Sequence, residues 1–293
     1  MAPRPRRFAF PIGSPPTSHS PLPQAPEPER VALVVPCYNE EARLDVAEFS
    51  RAVSAMRDLH IVFVDDGSVD GTHDLLCQLA ARAGERVEIL RLPANRGKAE
   101  AVRQGLLQAM RSTPVYVGFW DADLATPLTA LDEFVDVFRS QPQCEWVIGS
   151  RVRLLGRRIE RIGARHYAGR VFATAASLVL ALPVYDTQCG AKVFRRSALL
   201  RECLDTPFGS RWIFDVELIA RFCTAVRREG GNADDMIHEL PLREWTDVGG
   251  SKVTLGAFAR AALDLLRIYR TYPPRATVAR ARATARIDSP AGM

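Results

Sequence analysis

From Val31 to Ser150 short apolar runs alternate with stretches of helical period. The runs are "VALVVPC" (31–37), "HIVFVDD" (60–66), "VEILRL" (87–92), "VYVGFWD" (115–121) and "EWVIGS" (145–150). Between them the pattern predicts helices from Glu40 to Arg57, Asp70 to Arg82, Lys98 to Arg111 and Leu128 to Phe138. Continuous apolar strands separated by helices imply an α/β domain with a mostly parallel sheet covered on both faces. Ligands of such sheets bind beyond the C-terminal strand ends. There the sequence collects acids: Glu40 after the first run, Asp65 and Asp66 after the second, Asp121 and Asp123 after the fourth. Each alone reads equally well as a helix cap.

Asp121 and Asp123 share one side of a strand end, because alternate residues point the same way. Two like charges so placed call for a positive partner. Neither common phosphate-cradling loop occurs: no G-x-G-x-x-G follows the first run, and G-x-x-x-x-G-K-[ST] is absent. A diphosphate at this rim would therefore need a divalent cation, Mg²⁺ or Mn²⁺, with Asp121 and Asp123 as oxygen ligands.

The 293 residues carry a formal net charge of +5, which favours anionic partners without selecting one. Only three of the 39 basic residues are lysines, Lys98, Lys192 and Lys252. The six cysteines lack metal-ligand spacing and read as reduced thiols. Residues 1–29 read as a disordered, proline-rich leader without a signal peptide, and 273–293 as a disordered basic tail. The longest apolar stretch is "VFATAASLVLALPV" (171–184). As a helix, Val171–Leu182 would span roughly 18 Å, against roughly 30 Å for a bilayer's hydrocarbon core. It reads as a core helix or one lying in a membrane interface.

The segments "VVPCYNEEARL", "VDDGSVDGT", "NRGKAEAVRQG" and "DADLATP", in this order, resemble the nucleotide-sugar half of inverting glycosyltransferases of the GT-A fold. "GSR" (149–151), "DTQCGAKVFRR" (186–196), "RWIFDVEL" (211–218) and "WTDVGGSK" (245–252) resemble the dolichyl-phosphate β-glucosyltransferase branch of the polyprenyl-phosphate glycosyltransferases. The resemblance implies a single GT-A domain over 30–272. Its nucleotide-sugar half would be 30–150 and its acceptor half, with acceptor-side helices, 151–272.

It also implies roles. Pro36, Tyr38 and Glu40 would line base and ribose; Val64 and Asp66 would hold the base. Asp121, Ala122 and Asp123 would hold ribose, sugar and metal. Lys98, in the third segment, would belong to the donor site, and Lys192 and Lys252 would lie near the diphosphate. Arg151 and Arg165 would meet the phosphate of a polyprenyl phosphate lipid. Asp215 and Glu217 would orient the sugar, act as base for a hydroxyl acceptor, or serve packing at a helix end. The related mannosyltransferases often place a glutamine where Ala125 stands, a departure that favours the glucosyl branch. UDP-glucose and GDP-mannose both remain open as donors.

The implied reaction is metal-dependent, inverting transfer of a hexose to the lipid phosphate. The implied setting is the cytoplasmic face of a membrane, with peripheral attachment and no nucleic-acid partner. A haloacid-dehalogenase-type phosphatase fits less well, because Thr126 comes one position too late after its D-x-D. A non-catalytic sugar-nucleotide-binding protein would be expected to have lost a carboxylate that is present here.

Overall fold

A computed structural model describes residues 30–160, 163–247 and 255–274, with side chains except at 163–168 and 255–259. The leader, the tail beyond 274, Lys252 and the Arg165 side chain lie outside the described residues.

The five apolar runs form β1 (Val31–Cys37), β2 (Leu59–Asp65), β3 (Val87–Arg91), β4 (Tyr116–Trp120) and β5 (Trp146–Ser150). Two more strands that the periodicity did not reveal join the same sheet, β7 (Ala191–Arg195) and β8 (Ile237–Pro241). The order is β3-β2-β1-β4-β7-β5-β8. Only β7 runs antiparallel to its neighbours, wedged between β4 and β5. Two short strands, β6 (Arg158–Glu160) and β9 (Glu244–Thr246), pair separately. They abut the acidic rim, where the Thr246 N–H donates to the Ala125 carbonyl at 3.0 Å.

The first helix, α1 (Val46–Ala55), starts later than the pattern predicts. Asp45 caps it by accepting from the Glu48 N–H at 2.8 Å. Such a cap satisfies an amide of the first turn, and it leaves Glu40 in the turn beyond β1. α2 (Thr72–Ala83), α3 (Lys98–Ala109) and α4 (Leu131–Ser140) follow close to expectation. The second half supplies α5 (Gly163–Leu180), α6 (Ala198–Leu204), α7 (Phe214–Arg228) and α8 (Leu255–Thr271).

The sheet divides two apolar layers. One gathers Phe49, Leu76, Phe134 and Phe138 from α1, α2 and α4. The other gathers Val102, Leu106, Phe214, Phe222 and Leu265 from α3, α7 and α8. Trp146 closes the second layer, its ring 4.7 Å from Phe194 and 4.1 Å from Phe222. α5 is two-sided. Ala176 and Leu180 are buried, whereas Val171 and Leu178 are each 73% exposed.

Candidate active site

The chain leaves β1 toward β2 on one side and meets β4 on the other, so the strand order reverses there and opens a crevice at the strand ends. A cleft of about 310 Å³ occupies this position. Pro36, Tyr38 and Glu40 line it from the end of β1, Asp66 from the end of β2, and Asp121, Ala122 and Asp123 from the end of β4. Lys98 and Gly97 close it from the start of α3.

The D-D-G-S turn fixes one wall. Gly67 takes φ +69°, and a Cβ there would stand 2.6 Å from the Ala94 carbonyl carbon. No other residue fits without displacing the next loop. Asp66 stitches the two loops together, accepting from the Arg96 and Gly97 N–H groups at 2.7 Å each. That stitch presents Lys98, first residue of α3, to the paired acids. Its Nζ lies 2.5 Å from Asp121 Oδ1, and this is the positive partner the acids required. Burial would lower the Lys98 pKa, but the carboxylates of Asp121, Asp215 and Asp123 outweigh it and raise it.

Gly190, at the entry to β7, makes room for Asp121; a Cβ on it would stand 2.0 Å from Asp121 Oδ2. Asp123 accepts from the Ala125 N–H at 3.1 Å, across a Leu124 held at φ +50°. That left-handed backbone is costly for leucine and marks strain beside the acids.

The carboxylates crowd one another. Burial raises the pKa of Asp123, and Asp121 adds to it. Burial also raises Glu40 against the pull of Arg43, with Asp123 and Asp121 reinforcing the rise. Glu40 Oε2 is buried with no hydrogen-bond partner among the described residues. Residual negative charge and an unsatisfied oxygen suit a divalent cation here. No cluster of three or more metal-ligating side chains exists among the described residues. Asp121 and Asp123 are the two carboxylates that could hold such an ion, and Mg²⁺-type sites commonly take only one or two protein carboxylates.

A second pocket, about 80 Å³, lies between β5, α5 and the loop before β7. Arg151, Arg170, Tyr185, Asp186, Thr187 and Gln188 contribute to its wall. Asp186 grips Arg151 in a fork, with Nε at 2.7 Å and Nη2 at 2.8 Å. It also accepts from the Arg151 N–H at 3.1 Å. Burial would raise the Asp186 pKa, but the Arg151 guanidinium outweighs it and holds the carboxyl down at about 2. Glu239 on β8 fixes this loop in turn, accepting from the Tyr185 N–H at 2.8 Å and the Asp186 N–H at 2.6 Å. Arg151 also lies over the Trp245 ring, 5.2 Å from its centre. Arg170 stacks on Tyr185 at 3.7 Å. Both are cation–π contacts that hold a guanidinium against an aromatic face. Thr187 Oγ1 and Gln188 Nε2 are buried there with no hydrogen-bond partner among the described residues.

Several expected residues do other work. Val64 is fully buried, its side chain packed toward Gly105 of α3, and it does not reach the cleft. Asp65 turns away from the rim and is completely buried near α2. Lys192 is 1% exposed rather than facing a diphosphate; its Nζ lies 2.5 Å from both Asp215 Oδ1 and the Cys189 carbonyl. Asp215 is thereby engaged beneath the site. Glu217 belongs to another network altogether. It bonds Arg221 at 2.7 Å and accepts from the Gly209 and Ser210 N–H groups at 2.8 and 3.1 Å, holding the loop before α7.

The structure adds residues that the sequence pattern did not single out. Asn95 lines the cleft, and Arg211 reaches over it to donate to Asn95 Oδ1 at 3.0 Å. Asp186, Arg170 and Tyr185 frame the second pocket. Asp186 opens the "DTQCG" segment, so a search there for a partner to Arg151 would have found it.

Residues 32–201 match the family described as "Glycosyl transferase family 2". The dolichyl-phosphate β-glucosyltransferase of Saccharomyces cerevisiae is 30% identical over 83% of this chain and 75% of its own length. That of Homo sapiens is 30% identical over 83% of this chain and 76% of its own. Among solved structures, glucosyl-3-phosphoglycerate synthase from Mycobacterium tuberculosis, determined with Mn²⁺ and UDP-glucose, superposes with a TM-score of 0.59. It shares 20% identity over 84% of this chain and 81% of that one, a likeness of fold. With its GT-A-like sheet and strand-end crevice, the chain belongs to glycosyl transferase family 2 and is a glycosyltransferase similar to the dolichyl-phosphate β-glucosyltransferases.

Proposed function

We propose that this enzyme transfers glucose from UDP-glucose to a dolichyl-type polyprenyl phosphate, inverting the sugar to give a β-linked lipid phosphosugar. The relatives' shared activity supports the sugar and the lipid. The observation that carries the phosphate acceptor is the state of the two carboxylates that could have served a hydroxyl acceptor as bases. Asp215 is paired with Lys192, and Glu217 with Arg221. A hydroxyl acceptor needs a base to take its proton. A phosphomonoester, with a second pKa of about 6, is mostly dianionic at neutral pH and needs none.

The reaction then requires positioning and charge. The donor lies in the cleft, with Tyr38 and Asp66 toward the nucleoside and Asp121, Ala122 and Asp123 toward ribose and sugar. The small pocket takes the acceptor phosphate, and Arg151, oriented by Asp186, holds it. Arg165, at the start of α5, is assigned to the same phosphate. A phosphate oxygen attacks C1 of the glucose as the bond from C1 to the diphosphate oxygen breaks. UDP leaves with the electron pair, and no proton moves. Lys98 lies where its ammonium can pass from Asp121 to the diphosphate. Asp121 and Asp123 would hold a divalent cation, which when bound would supply charge against the departing diphosphate.

The polyprenyl tail requires the enzyme to work at a bilayer surface. No helix among the described residues is long and apolar enough to cross a membrane. Peripheral contact through the exposed faces of α5 and α8 is our reading.

The test is a panel of nucleotide sugars offered with a short polyprenyl phosphate and with simple sugar alcohols, products identified by mass. A lipid phosphoglucose formed from UDP-glucose is expected. Transfer to an alcohol in preference to the lipid phosphate would overturn the acceptor, and transfer from GDP-mannose the donor.

A further inference from the structure

Arg211, in the loop between α6 and α7, reaches the cleft wall from which Lys98 springs. Its Nη2 donates to Asn95 Oδ1 at 3.0 Å, and a Cβ on Gly97 would stand 2.8 Å from its Nε, so the guanidinium lies close against bare backbone. Asn95 and Gly97 both line the cleft. Arg211 is exposed, and its Nε and Nη1 make no hydrogen bond among the described residues. A forked cation with spare donors thus stands at the rim of a cleft whose other walls carry Glu40, Asp66, Asp121 and Asp123.

Hydrogen bonds rather than close packing hold this loop to α8. A cavity of about 220 Å³ lies between the loop, α7 and α8, with Ser210, Glu217 and Asp264 in its wall. The buried Ser210 hydroxyl accepts from the Trp212 and Ile213 N–H groups at 3.3 and 3.0 Å. Its single hydrogen is left for Asp264 Oδ2 on α8, 2.6 Å away. Arg267, one turn further along α8, adds a weaker bond to the Gly209 carbonyl at 3.5 Å. A continuous chain therefore runs from Asp264 through the Ser210 turn to Arg211 and the cleft.

We propose that Arg211 is a further donor-binding residue, a cation that grips the diphosphate of the nucleotide sugar, and that Asp264 positions it through Ser210. The proposal rests on the reading that a nucleoside diphosphate sugar fills the cleft. An arginine fork matches two phosphate oxygens, and leaving Asn95 exchanges one bond to a neutral acceptor for charge-assisted ones. Arg211 then acts beside Lys98 on the leaving diphosphate, whereas Arg151 serves the acceptor. Asp264 is a positioning residue, and through it α8, whose exposed face we read as meeting the bilayer, bears on donor affinity.

The full chain in Mg²⁺ buffer, with acceptor absent, is titrated with UDP by calorimetry and with uridine by ligand NMR. Arg211→Ala, at an exposed position, should weaken UDP by at least about tenfold, as loss of hydrogen bonds to a charged partner does. Uridine, which has no phosphate, should bind this variant as it binds the parent. Asp264→Ala should weaken UDP by at least about threefold, toward the low side of couplings within one hydrogen-bond network. Asp264→Asn should restore most of that loss, because its carboxamide oxygen can accept from Ser210. Arg211→Ala and Asp264→Ala combined should bind no worse than Arg211→Ala alone; Ser210→Ala breaks the same link and replaces Asp264→Ala in the cycle if that variant does not fold. Parental UDP binding by Arg211→Ala would overturn the proposal while leaving the donor reading intact, and an equal loss for uridine would overturn the diphosphate contact. Losses that add in the double variant would remove Asp264 as the positioning residue. A parent that binds neither UDP nor GDP would sink the donor reading and this inference together.

Discussion

Lys98 Nζ stands 2.5 Å from Asp121 Oδ1 across the mouth of the crevice, while Asp123, two residues on, is held by the backbone of Ala125. One acid thus has a cationic partner at contact distance and the other leans on a neutral donor. The second is the one whose pKa burial and repulsion raise.

That asymmetry makes Asp123 the more telling target. Asp123→Asn keeps the shape and its carboxamide oxygen can still accept from Ala125, so the fold should persist. The lost charge should remove the metal site. We expect turnover to fall at least about 10³-fold, or roughly 4 kcal/mol of barrier. Near-parental turnover by the variant in chelator-treated buffer would refute the metal role of Asp123.

Much of this site was legible because strand ends are legible. Apolar runs stopping at Asp66 and Asp121 locate a rim, and the alternation of side chains puts Asp121 and Asp123 together. What the sequence hid was direction. Asp65 and Asp66 are neighbours, yet successive residues leave a strand on opposite sides, and only Asp66 lines the cleft. Burial was hidden too. Lys192 reads as a charge near the diphosphate, and Glu217 as a sugar-orienting group, a base or a packing residue at a helix end; each finds an opposite charge inside the protein. Strand β7 escaped the periodicity because it enters between β4 and β5 from the far half of the chain, a pairing that local pattern does not encode.

Gly190→Ala tests the close approach that shapes the acidic pair. A methyl group there meets Asp121 Oδ2 at 2.0 Å, and the carboxylate must move. Misplacement of about 1 Å can cost about 10²-fold. We expect that loss in turnover with little change in melting temperature, since the carboxylate moves into the open cleft. Unchanged turnover would show that Asp121 does not need its present position.

Asp186→Asn should loosen Arg151 without touching the donor cleft. The Michaelis constant for lipid phosphate should rise while slow donor hydrolysis survives. Stability should change as well. The folded Asp186 pKa is about 2, below its ordinary 3.8, so its contribution is present above pH 3.8 and is lost as pH falls through about 2. The shift corresponds to about 2 kcal/mol at neutral pH. Parent and variant should therefore differ in urea midpoint at pH 7 and converge in strong acid. A constant gap across that range would remove Arg151–Asp186 as its source.

Glu217→Gln separates a structural carboxylate from a catalytic one. Glu217 is 5% exposed, and its side chain bridges Arg221 to the loop before α7. Neutralising it leaves a buried guanidinium short of its counter-charge, at a cost of about 3 kcal/mol. We expect a lower unfolding midpoint and near-parental turnover at temperatures where the variant is folded. The opposite pattern, intact stability with lost turnover, would return Glu217 to the active site.

The membrane reading turns on which leucines face outward. Leu178 is 73% exposed, but Leu180, two residues along α5, is 4% exposed and belongs to the core. On α8, Leu263 and Leu266 are exposed at 67% and 44%, while Leu265 is buried. Arg260, Arg267 and Arg270 are exposed on the same helix, so its outer surface mixes apolar and cationic groups. Such a surface suits an anionic leaflet, each arginine contributing on the order of 1 kcal/mol near it and less as salt rises. The protein should cosediment with anionic liposomes and be released by salt. Leu178→Ser together with Leu263→Ser should weaken that binding and transfer to long lipids, leaving donor hydrolysis unchanged. Leu180→Ser should instead lower the unfolding midpoint. If the outer pair leaves liposome binding intact while the inner variant behaves as described, α5 and α8 are not the membrane face, and another surface must meet the lipid.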